Sequence, residues 1–178
     1  MTSTSAIDTK VTRLLAREGT AYVLLPHSKP VFTVAAAAAQ RGVVAEEMVK
    51  SILLRESKST RYVMACVLGP DRLDHRKVRA ALGSGWSRLT FAGDDEIRAI
   101  TGYPRGAVNP LCLPDDVPVV FDYRVARCRR VNISTGDPMA GLELDPGDLI
   151  RLAGASLASI AEVDSDDGEG AAESLPPK

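Results

Sequence analysis

The sequence predicts an α/β fold of the α+β kind, in which a mixed β-sheet is surrounded by helices. Short β-rich runs alternate with stretches of helical period, Gly, Pro and Asp punctuation separates them, and no regular β-α-β rhythm points to a doubly wound parallel sheet. At 178 residues the chain is one ordinary domain, or one domain with a tail. That length buries a core without help from disulfides or a structural metal.

The elements follow in order. Residues 7 to 18 place Ile7, Val11, Leu14 and Leu15 at helical spacing, and Gly19 follows where a helix stops. Ala21 to Leu25 is a β-rich run closed by Pro26. Thr33 can cap a helix through the Ala-rich stretch to Gln40, which Gly42 ends. A helical turn from Ala45 to Met48 leads into a strand from Val49 to Arg55, and Arg61 to Leu68 forms its neighbour across a polar connection. Asp74 can cap a helix reaching Leu82, and a helix opening at Asp94 carries acids in its first turn before Gly102 stops it. From Gly102 to Pro114 no period exists, so the segment is a structured loop. Pro118 to Tyr123 and Arg127 to Ile133 read as strands, then come a turn, a short strand around Gly141 to Leu144, and a last helix from Asp145 to Ala153 with Pro146 in its first turn.

Composition removes several function classes. With 22 Lys plus Arg against 23 Asp plus Glu, the net charge of -1 excludes a globally basic nucleic-acid binder. The longest uncharged stretch, Pro30 to Gln40, is too short to span a bilayer, and the N-terminus lacks the basic and apolar regions of a signal peptide, so a cytoplasmic protein is expected. Cys66, Cys112 and Cys128 are odd in number and widely spaced, and His27 and His75 stand alone. Neither a disulfide framework nor a metal or cofactor site is expected. Nucleophile-elbow, Walker and dinucleotide-binding motifs are absent. A Cys nucleophile with a distant His base is possible in principle, but Cys66 lies in the apolar run Tyr62 to Leu68 and reads as a small core residue.

Three segments could carry chemistry. Lys50 alternates onto one face of its strand with Ile52 and Leu54, an apolar face where a charge is costly unless it lines a pocket or meets a partner. Such a lysine can hold a phosphate or polarise a carbonyl; the alternative is a strand-start lysine that reaches to solvent. In the Gly/Pro-rich loop, Gly106, Ala107, Val108 and Asn109 before Pro110 can offer backbone donors to a ligand, against the reading of a plain connection. The turn Ser134-Thr135-Gly136-Asp137-Pro138 offers two hydroxyls and a carboxylate, although most such turns are only turns.

These segments, in this order, resemble the YbaK family, also called the prolyl-tRNA-synthetase-associated or aminoacyl-tRNA deacylase domain family. The resemblance covers roughly residues 20 to 160 and rests on Pro30-Val-Phe-Thr33, on Val49-Lys50-Ser51-Ile52-Leu53, on the strand ending at Leu68-Gly-Pro70 and on the helix from Asp74 to Leu82. Gly102-Tyr-Pro-Arg-Gly106-Ala-Val-Asn-Pro110, Ser134-Thr-Gly136 with Gly141 to Leu144, and Pro146-x-x-Leu149 complete it. It implies a YbaK-like, partly barrel-like sheet and an enzyme that hydrolyses the ester of mischarged tRNA, tRNA for proline first, with prolyl-tRNA synthetase as a possible partner. It implies that Lys50 is the key functional residue, near the terminal adenosine and the scissile ester, and that Gly106 to Pro110 and Ser134 to Gly136 shape the aminoacyl pocket. With no synthetase around it, the chain looks like a freestanding editor. The family's G-G-x-S-P loop here reads Gly106-Ala107-Val108-Asn109-Pro110, Thr135 and Asp137 stand where glycine or basic residues are common, and the histidine of some alanine-clearing members has no counterpart. Alanine specificity is therefore not implied.

A rival from another class is a non-catalytic module that keeps the pocket to bind an RNA end or a nucleotide. The charge is also unevenly spread. Residues 162 to 178, expected to be a disordered acidic tail, hold six acids and one base, so the single domain expected over 1 to 161 carries 21 Lys plus Arg against 17 acids, a net +4. Arg72, Arg76, Lys77, Arg79, Arg124, Arg127, Arg129 and Arg130 are its candidate phosphate contacts.

Overall fold

A computed structural model describes residues 7–162; the tail expected from 162 onward lies, apart from Glu162, outside the described residues. Helix α1 (Lys10–Arg17) starts three residues later than the periodicity suggests, because the Thr9 side chain takes the Thr12 N–H and fixes the cap there. After strand β1 (Tyr22–Pro26), α2 (Val34–Arg41) is capped by Thr33 and ended by left-handed Gly42, as the sequence predicts. A 3-10 turn (Ala45–Glu47) then feeds β2 (Val49–Glu56), which pairs antiparallel with β3 (Tyr62–Leu68). Asp74 caps α3 (His75–Leu82), and α4 (Asp94–Thr101) stops at left-handed Gly102.

Three short elements escape the sequence reading. Strand β4 (Leu89–Phe91) and strand β8 (Ser156–Ala158) have three residues each, too few to show a period. Helix α5 (Tyr123–Arg127) follows β5 (Val119–Asp122) directly, so the strand expected over Arg127 to Ile133 shortens to β6 (Val131–Ser134). The cause is Asp122. Its Oδ1 accepts the Arg124 N–H at 2.9 Å and turns the chain into a helix, while its Oδ2 accepts the Ile160 and Ala161 N–H groups, both at 2.8 Å. Strand β7 (Ala140–Leu144) and helix α6 (Pro146–Leu152) close the order.

The strands form two sheets, one of order β4-β2-β3-β5-β8, antiparallel through β3 and parallel beyond it, and one antiparallel of order β1-β7-β6. A bridge between Met48 and Asn132 joins them, so the barrel-like arrangement stays open rather than closing into one cylinder. Strand alternation divides the core. Val49, Leu53, Met64, Cys66 and Phe121 pack with Ile133 and Leu142 of the second sheet, while Leu54, Val63, Ala65 and Val67 pack with Val78 of α3 and with Ile160. β3 is thus buried on both faces. Lys50 falls on the α3 side in the same row as Ile52 and Leu54, as the alternation predicts. No helix among the described residues is long and apolar enough to cross a membrane.

The far end of the β2–β3 hairpin is tied by Glu56, only 3% exposed. Its carboxylate accepts Arg61 Nε at 2.8 Å and Arg61 NH2 at 2.9 Å, the Ser59 hydroxyl and the Ser87 N–H. These donors hold it well below the usual carboxylate range. A depressed folded pKa stabilises the fold above the unfolded value and is lost as pH falls through the folded one. Glu56→Gln should therefore lower Tm at neutral pH. The gap to wild type should close only when the pH drops below the ordinary carboxylate range, and a gap independent of pH in thermal melts would refute this role.

Candidate functional site

Strand β2, the start of α2, the glycine loop and the end of β6 converge on a cavity of about 170 Å³. Lys50, Gly106, Val108 and Ser134 line it, together with Phe32, Arg41 and Ser51. Four of the sequence-predicted residues thus meet at one place although 84 positions separate Lys50 from Ser134. Among the described residues no carboxylate lines this cavity, and the charged groups that do are the cations Arg41 and Lys50.

Lys50 is half-buried, and its Nζ donates to the main-chain carbonyl of Asp71. Burial pulls its pKa below the usual lysine range; the Asp71 carboxylate opposes that fall and Arg72 adds to it. The Asp71 carboxylate itself is engaged by Arg124 at 2.7 Å. One of three ammonium donors is therefore committed to a neutral oxygen.

Of the other predicted residues, Ala107, Asn109, Thr135 and Gly136 do not line the cavity but lie in the loop and turn that carry its walls, and Pro110 lies elsewhere. Asn109, fully buried, donates its Nδ2 to the Ser134 carbonyl and accepts the Leu111 N–H at 2.8 Å, stapling the glycine loop to the turn. Ala107 is fully buried and spends its N–H on the Pro104 carbonyl at 3.1 Å. Pro110 lines a different hollow, beside Leu14 and Cys112. Thr135 is buried, its hydroxyl 3.0 Å from the Ala140 carbonyl, and its own carbonyl accepts the Thr9 hydroxyl at 2.6 Å. Gly136, at φ 89°, lets the turn close against Tyr103, whose ring would stand 2.8 Å from any Cβ there. Tyr103 in turn donates its hydroxyl to the Leu111 carbonyl at 2.6 Å. Among the described residues, neither Gly106 nor Val108 donates its N–H to another group, so these two are the loop donors left beside the cavity.

Sequence reasoning missed Arg41. Its Nε donates to His27 Nε2 at 3.1 Å, and His27 Nδ1 lies 2.8 Å from the Pro138 carbonyl. A carbonyl and an arginine together demand the neutral tautomer with its proton on Nδ1. Burial, with Arg41 adding to it, lowers the His27 pKa and favours that form. Burial also brings the Arg41 guanidinium down to about 10. No carboxylate within salt-bridge distance answers it among the described residues. The guanidinium rests on Gly141, where a Cβ would fall 2.0 Å from its carbon. Helix period alone gives Arg41 as a C-terminal basic residue; only its long-range neighbours show its role.

The thiols are placed for packing. Cys66 is fully buried and pushed up to about 12, and burial also raises Cys112 and Cys128, so none favours a thiolate. Among the described residues no group of three or more His, Cys, Asp or Glu is placed to hold a metal ion.

A family profile described as the aminoacyl-tRNA editing domain matches residues 28–152. A proline-tRNA ligase from Trichlorobacter lovleyi is 35% identical over 99 residues, which is 56% of this chain and 17% of that enzyme. The chain thus spans under one fifth of the length of such a ligase. The prolyl-tRNA editing protein ProX of Acetoanaerobium sticklandii is 25% identical over 135 residues, covering 74% of this chain and 80% of that protein. Among solved structures, a candidate trans-editing enzyme for prolyl-tRNA synthetase superposes with a TM-score of 0.72 at 27% identity, over 88% of this chain and 99% of that one.

The Gly141 contact gives a test of how Arg41 is held. The atoms a Cβ would meet belong to the end of a flexible side chain, so Gly141→Ala should fold but expel the guanidinium. With that cation withdrawn, the His27 pKa should rise in imidazole NMR titrations. An unchanged His27 titration in Gly141→Ala would refute the contact.

Proposed function

The chain belongs to the aminoacyl-tRNA editing domain family, and from that premise we propose that it is a trans-acting deacylase, which hydrolyses the ester of mischarged tRNA, tRNA for proline first, in the cytoplasm. The observation that carries the reading is a cavity of about 170 Å³ lined, among the described residues, by two cations and no acid, with Lys50 shared between it and an adjoining groove. That is the charge pattern an ester needs. When water adds to the acyl carbon, the carbonyl oxygen becomes an anion, and donors already in place stabilise it without reorganising.

Lys50 Nζ is the group we assign to that oxygen, with the Gly106 and Val108 N–H groups as further donors. The bond between the acyl carbon and the ribose oxygen then breaks, the ribose oxygen takes a proton, and the amino acid leaves as a carboxylic acid. Among the described residues, none that lines the cavity is a carboxylate or histidine able to act as general base. The ribose hydroxyl next to the ester is the nearest group in such a substrate able to relay the proton, and an aminoacyl ester is already activated, so orientation and polarisation suffice. The size of the cavity fits a small acyl group. Prolyl-tRNA synthetase is the partner this role would serve, because that enzyme makes the tRNA to be corrected.

Lys50→Ala should keep the fold and lose about 100- to 1000-fold in deacylation. The measurement is ester loss from tRNA for proline charged with Ala, Cys or Ser. Wild-type turnover in the variant would remove Lys50 from its role, and no hydrolysis by wild type across the panel, with tight tRNA binding, would select the binding module instead. The cation is the active form, so after subtraction of spontaneous hydrolysis the activity should fall as pH rises through a pKa lower than the ordinary lysine value of about 10.4.

A further inference from the structure

Three hollows lie end to end, and the residues they share set their order. Lys50 lines the small cavity and also a groove of about 500 Å³ that includes Arg72, Asp74, His75, Arg76, Phe91 and Glu162. His75 and Arg76 continue into a third hollow of about 220 Å³ with Arg79 and Arg88. Five cationic side chains thus follow one path from the cavity mouth along α3 toward β4.

Among the described residues, two acids on this path offset two of the five cations and leave an excess of three. Asp74 is occupied as the cap of α3, accepting the Arg76 and Lys77 N–H groups, and Glu162 stands 3.5 Å from Arg72. No ion pair among the described residues uses Arg76, Arg79 or Arg88. Of the basic residues off this path, Arg124 is engaged with Asp71 and Arg130 with Glu143, both at 2.7 Å, and Lys77 with the Ala161 carbonyl at 2.7 Å; Arg127 and Arg129 have no ion pair among the described residues but line none of the three hollows. In the middle of the path Phe91 is 64% exposed and stands edge-on to His75 at 4.6 Å between ring centres. A large aromatic held open among unpaired arginines is the combination that binds a single-stranded nucleic acid, cations for phosphates and a ring for a base. A run of acidic side chains would meet the cations but has nothing to stack on the ring.

We propose that this path is the track of the single-stranded 3′ end of an RNA. The ester-bearing nucleoside lies at Lys50, a neighbouring base stacks on Phe91, and the backbone farther from the end passes Arg76, Arg79 and Arg88. The direction of the strand rests on the deacylase reading; the track itself does not.

The test uses uncharged tRNA, so that binding is read without ester chemistry. Affinity is measured by fluorescence anisotropy across a salt series for wild type, for Arg79→Gln with Arg88→Gln, and for Arg127→Gln with Arg129→Gln as a control. All four arginines are exposed. The first pair should weaken binding by about tenfold or more and reduce the log-log salt slope by about 1.4, two single-strand phosphate contacts. The control pair should change neither. A 2-aminopurine placed next to the 3′-terminal nucleotide should be quenched by wild type and not by Phe91→Ala. A slope carried by the control pair, a quench that survives in Phe91→Ala, or tighter binding of poly-glutamate than of the RNA would overturn the track. Hydrolysis of mischarged tRNA with a slope indifferent to Arg79 and Arg88 would remove the track and leave the deacylase; the predicted slope without any hydrolysis would do the reverse.

Discussion

The site depends on how one ammonium is kept charged inside the fold. Lys50 ends a row whose other members, Ile52 and Leu54, are apolar, and a bare charge there would be expelled or neutralised. It meets the Asp71 carbonyl instead, a dipole that solvates without cancelling. The Asp71 carboxylate forms no ion pair with the lysine: its Oδ1 is engaged by Arg124, and its buried Oδ2 has no hydrogen-bond partner among the described residues. Arg124 was a candidate phosphate contact on sequence grounds; in the fold it is engaged with Asp71, the residue whose main chain holds Lys50. Had the carboxylate taken the lysine, the cavity would have lost half its positive charge.

The walls follow a different principle. The glycine loop and the turn after β6 are far apart in sequence, and each is irregular, so neither could hold a shape alone. Asn109 satisfies a carbonyl on one and an N–H on the other, and Tyr103 fills the space that Gly136 leaves. Buried polar groups that are fully paired in this way fix a single arrangement, because each alternative leaves a donor or acceptor without a partner. The departure from the family pattern at position 109 thus sits at a brace between loop and turn, while the cavity surface itself comes from Gly106, Val108 and Ser134.

Much of this was legible in the sequence, for reasons particular residues make clear. Thr33, Asp74, Gly42 and Gly102 act through contacts within a few positions, so local chemistry announces the helix ends they make. The place of Lys50 beside a cavity was legible because strand alternation put a charge where only apolar neighbours belonged. Helix α5 was not, because its cap is Asp122, whose other oxygen binds residues 160 and 161. Arg41 was invisible for the same reason: its meaning lies in His27, Met48 and Gly141, which no period connects to it. The basic path along α3 was half visible, as a list of arginines whose pairing state only the fold reveals.

The close seat of Gly106 has a consequence for how such a pocket can change. At φ 83° its Cα lies so near the segment before α2 that a Cβ would come within 2.9 Å of the Val31 carbonyl and of the Phe32 ring. One side of the cavity is therefore made by two stretches of main chain in contact, which cannot be carved wider by trimming side chains. The adjustable dimensions lie in the other lining side chains, among them Val31, Val34, Met48, Ser51, Val108 and Ser134. A variant meant to widen the cavity would have to work through those side chains, because the seam between the glycine loop and the segment before α2 is fixed by main chain on both sides.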